Sequence, residues 1–184
     1  MLRVLITFVL LNCYDPVFSS TKEKIISQMQ LIDNLSFNFI QIINNKSENG
    51  ECIIEYPKKI WCEYNNLNKK IIVSNGKSLV VKSRNSGSYY IYRLQKTPLE
   101  YLLNKEYLVS KINVLELGET DNKYFNFKII ENNNEIKIFF DKNSLMLAGW
   151  QTEDIYQNLA ITFISSVKIN QKINNRLFIL PKNN

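Results

Sequence analysis

A chain of 184 residues that is 45% hydrophobic is long enough for one domain with its own core. It contains no histidine, which removes the commonest general base and the commonest metal ligand together. Its formal net charge of +6 comes from lysines scattered through segments such as "NNLNKK" and "NNNEIK", with no basic helix or arginine cluster of the kind that grips nucleic acid.

The first residues, "MLRVLITFVLLNCYDPVFSS", carry an early Arg3, an apolar run from Val4 to Leu11 and small residues after a polar break. Residues 1–19 are therefore read as a secretory signal peptide, cut between Ser19 and Ser20, with Val17 and Ser19 meeting the small-residue rule. The apolar run is too short for a permanent anchor. Residues 20–184 remain as a single exported domain. The segment "LLNC" is similar to a lipidation box, but Asn12 stands where a small residue is needed, so no lipid is expected on Cys13.

Ser20 to Asn34 is predicted helical, with Ile25, Met29 and Ile32 on one stripe and Ser20 and Glu23 spaced as a capping box. "LSFNFIQII" then alternates, setting Phe37, Phe39, Gln41 and Ile43 on one side. "GECIIEY", "KIWCEYN", "KKIIVSN", "KSLVVKS" and "SYYIYRL" follow as strands, separated by turn residues. Asn75-Gly76 is the sharpest turn signal and predicts a type I′ hairpin. "TPLEYLLNKEYL" is predicted as one short helix, capped by Thr97, with Pro98 in its first turn and Leu99, Leu102 and Leu103 on its apolar face. "SKINVLEL", "KYFNFKIIE", "EIKIFFD", "LMLAGWQTED", "NLAITFISSVKI" and "RLFILP" are read as further strands. About 11 or 12 antiparallel strands must close or be covered. The pattern predicts an α+β fold, a strongly curved sheet that is nearly a barrel, with helices against its concave side and an apolar interior between them.

The chemistry of catalysis is sparse. Asp33, Asp121, Asp141 and Asp154 have no defined mutual spacing, and most carboxylates fall in turns or at strand ends. The five glycines are dispersed, so there is no phosphate loop, and neither a cofactor nor a metal is expected. Cys52 and Cys62 sit on the two arms of the hairpin "ECIIEYPKKIWCEY". A two-residue turn at Pro57-Lys58 points them to opposite faces, as two buried small apolar groups; a three-residue loop centred on Pro57 sets them opposite one another for a disulfide. Aromatic residues make up 12% of the chain and lie mostly in strands, where they suit core packing. Only the run Tyr89 to Arg93 has the aromatic and basic texture of a nucleic-acid platform, and an exported chain does not need one.

The order of motifs resembles the LolA family of periplasmic lipoprotein carriers. Leu31, Ile32 and Leu35 precede Phe39-Ile40-Gln41, where the family has a leucine-rich helix and a strand ending Phe-x-Gln. Gly50, Pro57 and Trp61-Cys62-Glu63-Tyr64 follow in the family's order, then Ile72-Val73-Ser74-Asn75-Gly76 and Thr97-Pro98-Leu99 before Leu102-Leu103. The resemblance is dense from Leu31 to Leu103 and rests on strand order beyond Lys111. It implies an unclosed antiparallel β-barrel with helices forming a lid over an apolar cavity. It further implies a periplasmic chaperone, not an enzyme, that takes acylated lipoproteins from an inner-membrane lipoprotein-releasing transporter to an outer-membrane receptor, acting as a monomer. Ile60, Trp61, Leu79, Val81, Leu99, Leu102 and Leu103 are the expected acyl-chain contacts, Ile60 standing where the family has a bulky apolar residue. The family commonly places an arginine tied to lid behaviour just before the turn proline; this chain has Tyr56 there, expected to touch the lid through one neutral donor. Three other readings fit the residues: a lipidated, LolB-like outer-membrane receptor, which requires a modified Cys13; a lipid-sensing domain of an envelope-stress regulator, which would normally carry a second domain or an anchor; and an unrelated exported lipid-binding or adhesion module.

Overall fold

The computed structural model describes residues 20–132, 134–153 and 158–183. The predicted signal peptide, Cys13 and Asp154 lie outside the described residues. Helix α1 (Thr21–Gln30) opens the fold, and Ser20 caps it: its hydroxyl accepts from the Glu23 N–H, and the Glu23 carboxylate accepts from the Ser20 N–H. The strands β1 (Asn34–Ile43), β2 (Lys46–Glu55), β3 (Lys59–Tyr64), β4 (Lys70–Asn75), β5 (Ser78–Ser83) and β6 (Tyr89–Arg93) form a meander. Helices α2 (Leu99–Leu102) and α3 (Lys105–Val114) follow, then β7 (Gly118–Thr120), β8 (Tyr124–Glu131), β9 (Asn134–Asp141), β10 (Leu147–Glu153) and β11 (Leu159–Ile169).

Among the described residues eleven strands form one antiparallel sheet in the order β6-β5-β4-β3-β2-β1-β11-β10-β9-β8-β7. The first and last strands pair in its middle, and β6 and β7 are its two edges, so the curved sheet is an unclosed barrel. The helices pack on the concave face through Ile25 and Met29 of α1 and Leu108 and Ile112 of α3. α1 and α3 run antiparallel, and each is capped by a lysine from the other's first turn. Lys22 Nζ donates to the carbonyls of Asn113 and Leu115, and Lys105 Nζ to those of Gln30 and Ile32. Cations at helix C-termini satisfy the last carbonyls and oppose the helix dipole, which makes the two helices a single unit.

Six expectations need correcting. The first helix ends at Gln30 rather than Asn34, which opens β1, and "TPLEYLLNKEYL" holds α2 and the start of α3 rather than one helix. "SKINVLEL" is not a strand: α3 runs through Val114, because Asn104 caps the Tyr107 N–H and Leu108 and Ile112 meet the core at i and i+4. "RLFILP" does not join the sheet either; a 3-10 turn at Asn175–Phe178 lays Phe178 on the convex face over β3 and β4. Thr97 does not cap the short helix, since its hydroxyl bonds back to the Leu94 carbonyl. At the β4–β5 turn Gly76 alone takes a positive φ, and the Asn75 side chain accepts from the N–H groups of Lys77 and Ser78, so the hairpin is not type I′.

The β2–β3 loop decides the facing of the hairpin. Glu55 pairs with Lys59, leaving Tyr56, Pro57 and Lys58 as a three-residue loop. Cys52 is then directly opposite Cys62, and the two form a disulfide on the concave face. The same register sends Ile60, Cys62 and Tyr64 inward and Lys59, Trp61 and Glu63 outward.

Candidate functional site

The helices occupy only one end of the concave surface. The loops after Ile43, Tyr64 and Ser83 and the end of β10 at Glu153 lie at the other end. Between them is a cavity of about 390 Å3. Its walls are apolar: Phe39 from β1, Ile60 and the Cys52–Cys62 pair from the hairpin, Ile72 from β4, and Leu79 and Val81 from β5. Tyr90 and Tyr92 of β6 and Trp150 of β10 complete the sides, and Leu99 borders it from the helical end. Lys70 and Glu153, at strand ends on the open side, give the rim charge.

One polar chain crosses this wall and is internally satisfied. Tyr64 Oη donates to Gln41 Oε1 (3.0 Å), and Gln41 Nε2 donates to Thr162 Oγ1 (3.1 Å). Lys70 Nζ lies 3.7 Å from the centre of the Tyr64 ring and pairs with Glu48. Burial, with Glu48 nearby, pushes the Tyr64 hydroxyl well above the ordinary tyrosine range, so it stays protonated and donating. Gly50 is required here by close approach: a Cβ would sit 2.1 Å from the Glu63 carbonyl oxygen and 2.8 Å from the Phe39 ring. The Phe39 ring fills that space and meets Tyr64 edge-on at 4.8 Å.

The predicted contacts divide into three groups. Ile60, Leu79, Val81 and Leu99 line the cavity. Leu102 and Leu103 do not reach it; they close an adjoining gap of about 20 Å3 beneath α2, which shares Ile60, Leu99 and Trp150 with the cavity. Trp61 is on the opposite side of the sheet, in a convex groove with Ser36, Ile53 and Lys168, because the three-residue loop fixes the parity of β3. Sequence reasoning missed Ile72, Tyr90 and Tyr92; alternation with Leu79 and Val81 across the ladder would have found them.

Tyr56, half-buried, lies beneath the helices: with Met29 it lines the gap under α2, opposite Leu99, Leu102 and Leu103, and a second gap of about 20 Å3 beside α1, next to Ile32 and Leu35. Its hydroxyl makes no hydrogen bond with any described residue, and burial alone raises its pKa. The expected donor to the lid is therefore elsewhere. The Lys58 N–H donates to the Leu103 carbonyl at 2.7 Å, and Lys58 Nζ pairs with Glu100 at 2.5 Å. Ser74, fully buried, donates to the Lys58 carbonyl and holds this loop against the β4–β5 turn. Lys58 thus supplies the hydrogen bond to the helical segment that was expected of Tyr56, while Tyr56 meets Leu99, Leu102 and Leu103 by packing.

The carboxylates are dispersed. Asp33 precedes β1 with an exposed side chain, Asp121 is in the β7–β8 turn, and Asp141 accepts from the backbone of Asn143 and Ser144, which holds it below the usual carboxylate range.

A family model described as "Outer membrane lipoprotein carrier protein LolA" matches residues 30–180. No curated protein matches the chain. Among solved structures, an uncharacterized conserved protein from Thermus thermophilus superposes with a TM-score of 0.53 at 8% identity, covering 89% of this chain and 96% of that one. A LolA superfamily protein from Nitrosomonas europaea gives 0.46 at 7% identity, over 88% of this chain and 99% of that one. Lipoprotein LppX from Mycobacterium tuberculosis gives 0.43 at 10% identity, over 83% and 95%.

Proposed function

The chain belongs to the LolA family of outer membrane lipoprotein carrier proteins, and on that premise we propose that it carries the acyl chains of lipoproteins through an aqueous, oxidising compartment, the periplasm. The observation that carries the reading is the apolar cavity of about 390 Å3 between sheet and helices. It falls in the size range of ligand sites, roughly 300–1,000 Å3. Each methylene kept out of water is worth about 0.8 kcal/mol, so a lipoprotein does not cross water unaided. A carrier needs an apolar interior, a movable cover and modest affinity, and no nucleophile.

The disulfide between Cys52 and Cys62 supports export, because such bonds persist in oxidising compartments. The reading extends to hand-over: the cargo comes from an inner-membrane transporter and leaves to an outer-membrane receptor. Ile60, Leu79, Val81 and Leu99 are the proposed acyl contacts, with Leu102 and Leu103 behind them under α2. Titration of a fluorescent fatty acid into residues 20–184 is the test. Saturable binding is expected, weakened at least about tenfold by Val81→Trp, which fills the cavity, and unchanged by Trp61→Ala on the far face. Binding that ignores Val81→Trp would remove the cavity from the function. Intact mass of the exported protein separates the carrier from a lipidated receptor: diacylglycerol on Cys13 would favour the receptor.

A further inference from the structure

Among the described residues β6 is an edge strand of the sheet, at the side of the cavity. Its hydrogen-bonding phase can be read from its neighbours. The Leu94 N–H donates to the Lys77 carbonyl, and the Ser83 N–H donates to the Ser88 carbonyl. With the register Leu79↔Tyr92 and Val81↔Tyr90, these fix the bonded pairs of the β5–β6 ladder. Antiparallel pairs alternate between bonded and non-bonded. The N–H and C=O groups of Tyr89, Ile91 and Arg93 therefore point away from β5, and no described residue pairs with them.

Sheet edges are commonly blunted by proline, by a bulge or by brevity. The opposite edge, β7, is only three residues long. β6 has five residues, no proline and no bulge, and Tyr90 and Ile91 are more than half exposed. The next residues inward from its open side are Tyr90 and Tyr92, which line the cavity. A strand laid on β6 would continue the cavity wall.

We propose that the β6 edge pairs with the extended polypeptide that directly follows the acylated residue of a carried lipoprotein. The inference rests on the carrier reading. Acyl chains are joined to the first residue of the cargo, so its backbone emerges where the chains go in. About five residues of strand, at roughly 3.4 Å each, match the length of β6. Main-chain bonding reads no side chain, which suits a carrier of many different proteins.

The test uses a synthetic lipopeptide, an acylated cysteine followed by five residues, and two forms of it N-methylated at alternate positions. Only one set of N–H groups faces the edge in a strand. One methylated form should bind about tenfold or more weakly than the parent, and the other should bind like the parent. Ile91→Pro removes an outward donor while leaving the bonds of Tyr90 and Tyr92 to β5. It should abolish that difference and leave fatty-acid affinity unchanged. Should the variant not fold, the methylated pair on the wild-type protein still decides. Equal affinity of all three lipopeptides, or equal loss in both methylated forms, would overturn the edge contact while leaving the carrier reading intact. Failure of the fatty acid itself to bind would overturn both. A wild-type chain that dimerises where Ile91→Pro is monomeric would give the edge to a second copy and overturn the assignment to cargo.

Discussion

The two halves of the concave face are made from similar alternating apolar strands, yet one is solid and the other hollow. Under α1 and α3, Phe127, Ile129, Ile136, Ile138 and Phe140 are 0–1% exposed. Tyr107 and Lys111 of α3 both bind Glu131 at the end of β8, fixing the helix to that half and holding the Glu131 carboxyl below its usual range. At two neighbouring rungs of β4 and β5 the order of burial is inverted, although Leu79, which also faces inward, is 5% exposed. Ile72 and Val81, which face inward, are only partly buried, whereas Val73 and Val80 on the convex face are almost inaccessible, on the side where the C-terminal turn that carries Phe178 packs over β3 and β4. A cavity here requires no polar wall. It follows from where the covering elements were placed.

The largest test of that contrast is a matched pair of truncations. Phe127→Ala should cost about 3–5 kcal/mol in urea unfolding, because it empties a fully packed site. Val81→Ala should cost under about 1 kcal/mol, since Val81 already borders open volume, and should act on acyl affinity instead. Equal costs would mean that the hollow half collapses in solution.

The disulfide comes next. Replacing Cys52 and Cys62 together with alanine opens a loop of 10-residue separation and should destabilise by about 2–3 kcal/mol on the chain-entropy estimate. Reduction of the wild-type protein should reproduce the loss. A smaller change would show that the strand pairing alone fixes the hairpin wall.

The strands could be read from the sequence because each has one wet or hollow side and therefore alternates. Facing could not be read at β3: one residue more or less in the loop around Pro57 exchanges Trp61 for Ile60 and separates the cysteines. α3 was misread because Val109, Ile112 and Val114 are β-branched, while the decisive signals, the Asn104 cap and the reciprocal Lys22 and Lys105 caps, depend on a second helix. The cavity was legible only as a fold-level expectation. Which apolar residues stay half-bare depends on covers that are distant in sequence.

A smaller effect is expected at the junction between the halves. Lys58 and Glu100 are 30% and 15% exposed, so their pair is worth about 1 kcal/mol. Glu100→Gln should loosen α2 and speed acyl uptake by about fivefold in stopped-flow mixing, with equilibrium stability lowered by a similar energy. Unchanged uptake would show that α2 does not gate the cavity.

The smallest effect at neutral pH belongs to Tyr56. Its ring packs among Met29, Leu99, Leu102 and Leu103, while its hydroxyl makes no hydrogen bond with any described residue. Tyr56→Phe keeps the packing and removes a polar group that burial penalises, so stability at pH 7 should change by less than about 0.5 kcal/mol and acyl uptake should not change. Alkaline pH separates the two proteins. An unfolded tyrosine titrates near pH 10, and burial raises Tyr56 above that in the folded state. The folded chain therefore holds its proton where the unfolded chain has lost it. Stability is fully present below about pH 10 and falls as pH rises beyond it. Tyr64, also raised by burial, keeps its own contribution in both proteins. Tyr56→Phe should lose stability less steeply above pH 10, and urea midpoints taken from pH 7 to pH 11 would show it. Parallel curves for the two proteins would mean that the hydroxyl reaches water through the opening and that the helices do not seal this end of the barrel.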